Sequence, residues 1–336
     1  MESPTGTKHC GQCGREFPPS TLSCPSCQKL VYTEELRKIA GEADLATREN
    51  RLSDAMSSWR SALELLPPDS KQYQAIRENI ELLSRRVDGL QAPPTAGSRP
   101  QTGLNKNAGR AGLLGLLAIF FSKLKFLALG FAKLHTLFSM LLAFGVYWSL
   151  WGWPFALGFV LSIYIHEMGH VAMLNHYGIK ATAPVFIPGV GAFVRMNQVL
   201  ASARENARVG LAGPIWGLGA AVAAFAVYRA TNAPVMAAIA RTGAWINLFN
   251  LLPVWQLDGG RGFQSLSNWQ RWAAFFVIGL CWAFTREGLL LLLLVAALFQ
   301  ALKKDAPREP DALGLLEYAA LVAILSLMCT IPVATP

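Results

Sequence analysis

The chain has 336 residues, of which 53% are hydrophobic and 15% charged, with a formal net charge of +9. Such a composition excludes a disordered or fibrous chain and, with several long apolar runs, points to a polytopic membrane protein. The modest basic balance is what cytoplasmic loops near anionic lipid produce, so membrane lipid is an expected partner and nucleic acid is not.

Met1 to Lys29 is polar and lacks the apolar core of a signal peptide, so the amino end is expected to stay in the cytoplasm. Four of the six cysteines fall here, as Cys10-Gly11-Gln12-Cys13 and Cys24-Pro25-Ser26-Cys27. Two C-x-x-C knuckles allow four thiolates to close a tetrahedron around a structural Zn2+ with no open position, a zinc ribbon over residues 1–30. Disulfides are the alternative, disfavoured because a cytoplasmic site keeps thiols reduced. His9 is a further possible ligand, but its place beside Cys10 makes it incidental.

Residues 31–90 read as soluble helices. Ala55, Trp59, Ala62 and Pro67 have the spacing of the second helix of a tetratricopeptide repeat, with Leu36 to Thr47 as its first. A third amphipathic helix runs from Tyr73 to Val87, with Ile76, Ile80 and Leu83 on one side. One repeat buries little core alone, so this unit is expected to stack on a partner such as a cytosolic protein, on itself or on the ribbon; a plain helical spacer is the alternative. Residues 91–110 turn to Pro, Gly, Ser, Asn and Gln and read as a flexible linker.

The membrane domain is expected over 111–336. Ala111 to Phe131 is broken by Lys123 and Lys125 and reads as a helix at the cytoplasmic interface. Leu134 to Leu150 then crosses outward, Trp148, Trp151 and Trp153 make an aromatic external turn, and a helix through residues 155–174 returns inward. Further spans follow at about 205–228, 236–252, 270–284, 288–302 and 314–332, six or seven in all. In that order Lys180, Arg195, Arg204, Arg261, Lys303, Lys304 and Arg308 fall on or near the inner face, in keeping with the positive-inside rule.

The returning helix carries His166-Glu167-Met168-Gly169-His170. On a helix the two histidines fall about 40° apart on one face and about 6 Å apart along the axis, within reach of one metal ion. Glu167, about 100° round from His166, can lean beside the metal and take a proton from a water held there. Satisfied core histidines are the alternative, but ionisable residues at bilayer depth mark functional sites by default. His176, just past the helix, is read as an interfacial histidine rather than a ligand. Residues 185–196 are β-branched and aromatic and broken by Pro188-Gly189 and Gly191, which predicts a small membrane-associated β-hairpin. A third metal ligand is required, and Asp258 in Leu257-Asp258-Gly259 is the candidate; capping of the following turn is its alternative reading.

H-E-x-x-H in an apolar helix, followed far downstream by Asn250-Leu251-Leu252-Pro253 and Leu257-Asp258-Gly259, resembles the site-2 protease family of intramembrane zinc metalloproteases. Ala212-Gly213-Pro214 and Val185-Phe186-Ile187-Pro188 agree, and the resemblance covers roughly residues 111–302. It implies a mainly α, polytopic, multi-pass protein of a bacterial inner (plasma) membrane, with one catalytic Zn2+ held by His166, His170 and Asp258. Glu167 is then the catalytic base, and Asn250 a second catalytic residue bonding the substrate backbone or oxyanion. The implied substrates are single-span membrane proteins cut in regulated proteolysis, often after another protease has trimmed them. A metal-handling transporter and an inactive scaffold remain open beside this reading.

Overall fold

A computed structural model describes residues 7–18, 20–89, 136–189, 191–193, 200–254 and 257–333. The expected linker, the interfacial helix at 111–131, and Arg195 lie outside these residues. The chain divides into two compact units.

The first unit comprises Met1–Ala92 together with Leu174–Lys180 and Met196–Glu205. Strands β1 (Lys8–His9) and β2 (Glu16–Phe17) pair antiparallel beside the two cysteine knuckles. The knuckles repeat one another: Gly14 N–H donates to the Cys10 carbonyl and Gln28 N–H to that of Cys24, while Cys10 N–H donates to Arg15 and Cys24 N–H to Lys29. The fifth residue of each knuckle takes the left-handed conformation, φ 72° at Gly14 and 56° at Gln28. Phe17 packs on Cys10 and Cys24, a core too small to hold itself without a metal.

Three helices follow, α1 (Thr33–Arg48), α2 (Leu52–Leu63) and α3 (Lys71–Val87), each packed on the next. Ala43, Ala46, Ala55, Met56, Trp59, Ile80 and Leu83 form their buried stripe. What they stack on is the chain itself. Ser53 Oγ donates to the His176 carbonyl at 2.7 Å, Tyr177 Oη to Asp88 at 2.8 Å, and Arg77 Nε to the Ala201 carbonyl at 3.1 Å. Gly178 (φ 69°) lies so close to the Ser53 carbonyl that any side chain there would collide with it. At the centre Arg60 reaches both carboxylate oxygens of Glu205 at 2.8 Å, with the two side chains 1% and 0% exposed. Removing one member of such a pair strands a buried charge and costs about 3–5 kcal/mol. Glu205 also accepts from Ala201 N–H, while its own N–H is capped by Ser202 Oγ, so one carboxylate both starts a helix and anchors it.

The second unit comprises Pro93–Met173, Ala181–Arg195 and Asn206–Pro336. Its helices are α4 (Thr136–Trp151), α5 (Trp153–His176), α6 (Ala203–Thr231), α7 (Pro234–Asn250), α8 (Asp258–Phe263), α9 (Asn268–Thr285), α10 (Leu289–Leu302) and α11 (Ala312–Met328); the last residues of α5 and the first of α6 belong to the first unit. Two of them, α5 and α6, are long and apolar enough to cross a membrane. The other spans expected beyond them, α7 and α9 to α11, are helices of 14 to 18 residues. At 1.5 Å per residue these are about 21–27 Å long, short of a hydrocarbon core of about 30 Å. Phe138, Phe276, Phe284 and Phe299 stand exposed on the outer faces of α4, α9 and α10, an apolar girdle unlike a surface meant for water.

Strands β3 (Val185–Ile187) and β4 (Gly191–Phe193) form an antiparallel hairpin in which Phe186 opposes Ala192. Helix α4 holds it: Ser139 Oγ accepts from Phe186 N–H and Tyr147 Oη accepts from Gly189 N–H. The main core lies between α7, α9, α10 and α11, around Leu248, Ile278, Leu293 and Leu325.

Candidate metal centre

Helix α5 presents His166 and His170 to α6, and α8 brings Asp258 against both. The two Nε2 atoms are 3.2 Å apart, and Asp258 carboxylate oxygens lie 3.1 Å from His166 Nε2 and 3.3 Å from that of His170. All three residues are buried. Zinc–ligand bonds of about 2.0–2.1 Å set a tetrahedral edge of about 3.4 Å, close to these separations.

The histidine tautomers sharpen the fit. His170 Nδ1 is 2.7 Å from the Val209 carbonyl, and His166 Nδ1 is 2.8 Å from Asn247 Oδ1. Asn247 Nδ2 donates to the Gly243 carbonyl at 2.7 Å, which leaves its oxygen for the histidine. Both Nδ1 atoms therefore carry a proton, and in the neutral rings both Nε2 lone pairs point at each other and at a carboxylate. Three electron-rich atoms brought together in this way need a cation between them. A backbone or amide acceptor behind each metal-binding imidazole is the usual device for fixing its orientation.

Sequence reasoning missed Asn247 and the Val209 carbonyl. It also missed why α6 is rich in glycine. A Cβ at Gly213 would meet Nε2 of His170 and, at 2.7 Å, of His166; one at Gly217 would enter the Asn247 amide; one at Gly210 would meet the Asp258 carbonyl at 2.9 Å. These positions, spaced by three and four, form one helix face. Their spacing, including a G-x-x-x-G at 213–217, was the available signal for a helix that other groups approach closely. Gly169 serves the reverse contact, against the Ala212 carbonyl.

A cavity of about 340 Å³ opens on the centre. Glu167, Asn250, Ser162 and the aromatic rings of Tyr147 and Phe159 line it, with Gly189, Gly191 and Ala192 of the hairpin on another side. Asn250 Nδ2 is 3.5 Å from His166 Nε2, so its amide borders the metal position as well as the cavity. His176 lies exposed at the end of α5, away from this cluster, and contributes its carbonyl to Ser53.

The second cluster that could hold a metal, among the described residues, is Cys10, Cys13, Cys24 and Cys27. Cys10 and Cys27 sulfurs are 3.5 Å apart, as are those of Cys13 and Cys24, far beyond a bonded pair and near the tetrahedral edge of about 3.8 Å that zinc–sulfur bonds of about 2.3 Å set. The backbone amides of Cys13 and Gln12 pull the Cys10 thiol down to about 6, and that of Cys27 lowers Cys24. At Cys13 the Arg15 amide pulls the same way, but the neighbouring sulfurs of Cys24 and Cys27 outweigh it and push the thiol up to about 12. Four adjacent thiolates thus resist full ionisation without a dication, which zinc supplies. His9 stands exposed and faces Glu16 at 3.4 Å, outside the cluster.

Residues 154–238 match the model of Peptidase family M50, a stretch that carries His166, Glu167, His170 and the α6 glycines. The chain is 32% identical over 81 residues to the probable zinc metalloprotease EGY2 of Arabidopsis thaliana chloroplasts, covering 23% of this chain and 15% of that protein. It is 27% identical over 121 residues to the zinc metalloprotease MJ0392 of Methanocaldococcus jannaschii, covering 34% of each. The chain thus spans about a third or less of these relatives' lengths. No solved structure matches it.

Proposed function

We propose that this chain, with its Peptidase family M50 domain, is an intramembrane zinc metalloprotease that hydrolyses peptide bonds within or near the transmembrane segments of single-span membrane proteins. The observation that carries this reading is the trio His166, His170 and Asp258, at tetrahedral-edge spacing with both Nδ1 atoms engaged, opening on a cavity that also holds Glu167. The relatives named as zinc metalloproteases support it.

Zinc held by these three residues would supply Lewis acidity towards a water and a scissile carbonyl. The residues of the chain do the rest. Glu167 takes a proton from the attacking water and hands it to the leaving amine. Asn250 donates its amide to the substrate backbone or to the oxyanion as charge develops. Asn247 and Val209 hold the two imidazoles. Phe159, Tyr147 and the buried helix faces limit water to what the cavity admits.

A helical substrate hides its peptide bonds in its own hydrogen bonds, so it must be unwound first. Strand β4 borders the cavity, and its edge is the place for an extended substrate segment to pair. Non-helical backbone at membrane depth must be buried or line a watery cavity, and this hairpin does the latter. The protein is read as multi-pass in a bacterial inner membrane with its amino end in the cytoplasm, since the positive-inside rule applied to the expected spans puts Lys180, Arg204, Arg261, Lys303, Lys304 and Arg308 on or near the inner face.

The test is co-expression of the full chain with a library of doubly tagged single-span membrane proteins. Fragments should form with the wild type and not with Glu167→Gln, and Ala192→Pro should suppress the same fragments. Identical fragment patterns with wild type and Glu167→Gln would sink the protease reading; zinc flux without fragments would move it to transport.

A further inference from the structure

Between α7 and α8 the described residues, 251–254 and 257, are not a regular helix, and they lie between Asn250 and Asp258 in the chain. Helix α7 ends at Asn250, so the carbonyls of Leu251 and Pro253 beyond it have no helical donor. In a dry interior each such carbonyl must find another donor or pay for its desolvation. Two side chains from distant helices do this. Tyr318 Oη, from α11, donates to the Leu251 carbonyl at 2.8 Å, and Gln300 Nε2, from α10, donates to that of Pro253 at 2.6 Å. The Leu251 carbonyl also lies against Gly259, next to Asp258, leaving no room there for a side chain.

Helix α11 is held in turn by α6, which carries the carbonyl that His170 bonds. Arg208, beside Val209, reaches Asp311 at 2.6 Å and Glu317 at 3.0 Å. Asp311 caps the start of α11 through Gly314 N–H, and a Cβ at Gly314 would crowd both Asp311 and Arg208. Tyr318 is one residue beyond Glu317. The same helix is therefore tied to the residue before the His170 acceptor and to the residue after Asn250.

We propose that Tyr318 and Gln300 are positioning residues of the metal centre. By donating to the Leu251 and Pro253 carbonyls they fix the backbone after Asn250, and through the close contact of the Leu251 carbonyl with Gly259 they place the neighbouring Asp258, the third metal ligand. Both lie outside the family match at 154–238, and α11 lies outside the residues that carry the family resemblance. The proposal rests on the metalloprotease reading.

The experiment uses the full chain, zinc-loaded in detergent micelles, with release followed by a coloured chelator. The double variant His166→Ala, His170→Ala defines the ribbon zinc alone. Tyr318→Phe and Gln300→Leu, which each remove one donor, should speed release of the second zinc by about ten-fold while the ribbon zinc leaves at its wild-type rate. Leu325→Ala, a core change in α11 with no polar group to lend the loop, should lower the thermal midpoint and leave release unchanged. Release at the wild-type rate in both donor variants, with two zincs per wild-type chain, would overturn the proposal. So would equal acceleration by Leu325→Ala, which would mark a general packing effect. A wild-type chain holding the ribbon zinc alone would overturn the metalloprotease reading and this inference with it.

Discussion

In the ribbon, Cys10, Cys13, Cys24 and Cys27 come from two turns that neighbour one another in the chain and repeat the same backbone pattern. In the helical centre, His166 and His170 share one helix, but their orienting groups Val209 and Asn247 are 39 and 81 residues away on two others, and Asp258 comes from a fourth. The ribbon presents four thiols, a full tetrahedral set for zinc. The centre presents three donors and a cavity. A closed thiolate set suits a structural ion, and an open three-ligand set suits catalysis. The comparison also separates what each depends on: the ribbon on local turns, the centre on the packing of several helices.

The comparison breaks most sharply at Glu167. Glu167→Gln should lower substrate cleavage by about 10²–10⁴-fold, the range for loss of a general base, while metal analysis still finds both zincs. Loss of a zinc in that variant would make Glu167 a ligand rather than a base. Next come the ligands themselves. His166→Ala with His170→Ala should remove one zinc per chain and all cleavage, and Cys10→Ser with Cys13→Ser should remove the other; coupled loss of both ions in either variant would show that the clusters are not independent.

Gly213→Ala adds a methyl group where the two Nε2 atoms meet. It should weaken zinc retention at the centre by about 10–100-fold, the scale of disturbed support around a metal, and leave the ribbon untouched. Asn247→Leu removes the acceptor behind His166 and should cost about ten-fold in the same assay, since only one of two imidazoles is freed to turn. Smallest of all, His9→Ala should change zinc content at neither site. A lost ion in that variant would place His9 in the ribbon after all.

Much of the centre was legible in one dimension because a helix converts spacing into direction. His166 and His170, four apart, had to share a face, and an acidic residue in Leu257-Asp258-Gly259 after an apolar run had few other uses. The cysteine knuckles were legible for a similar reason: a C-x-x-C turn is short enough to dictate where both sulfurs point. The partner of the helical unit was not legible. Arg60 and Glu205 are separated by 145 residues and nothing in either local pattern announces the other. Nor did the separation at residues 91–110 suggest that Leu174–Lys180 and Met196–Glu205 would fold with α1 to α3.

The sequence by itself determined the class of the chain, the helix bearing two histidines and a glutamate, and the four-thiol ribbon, because hydropathy and helical or turn periodicity act over a few residues. Only the tertiary structure decided which carbonyl and which amide hold the imidazoles, why α6 needs glycine at 210, 213 and 217, and which terminal helices support the path to Asp258. Those contacts join residues whose separation in the chain carries no period. They are chosen by close packing and by the need of every buried polar group for a partner, conditions that exist once the helices have met.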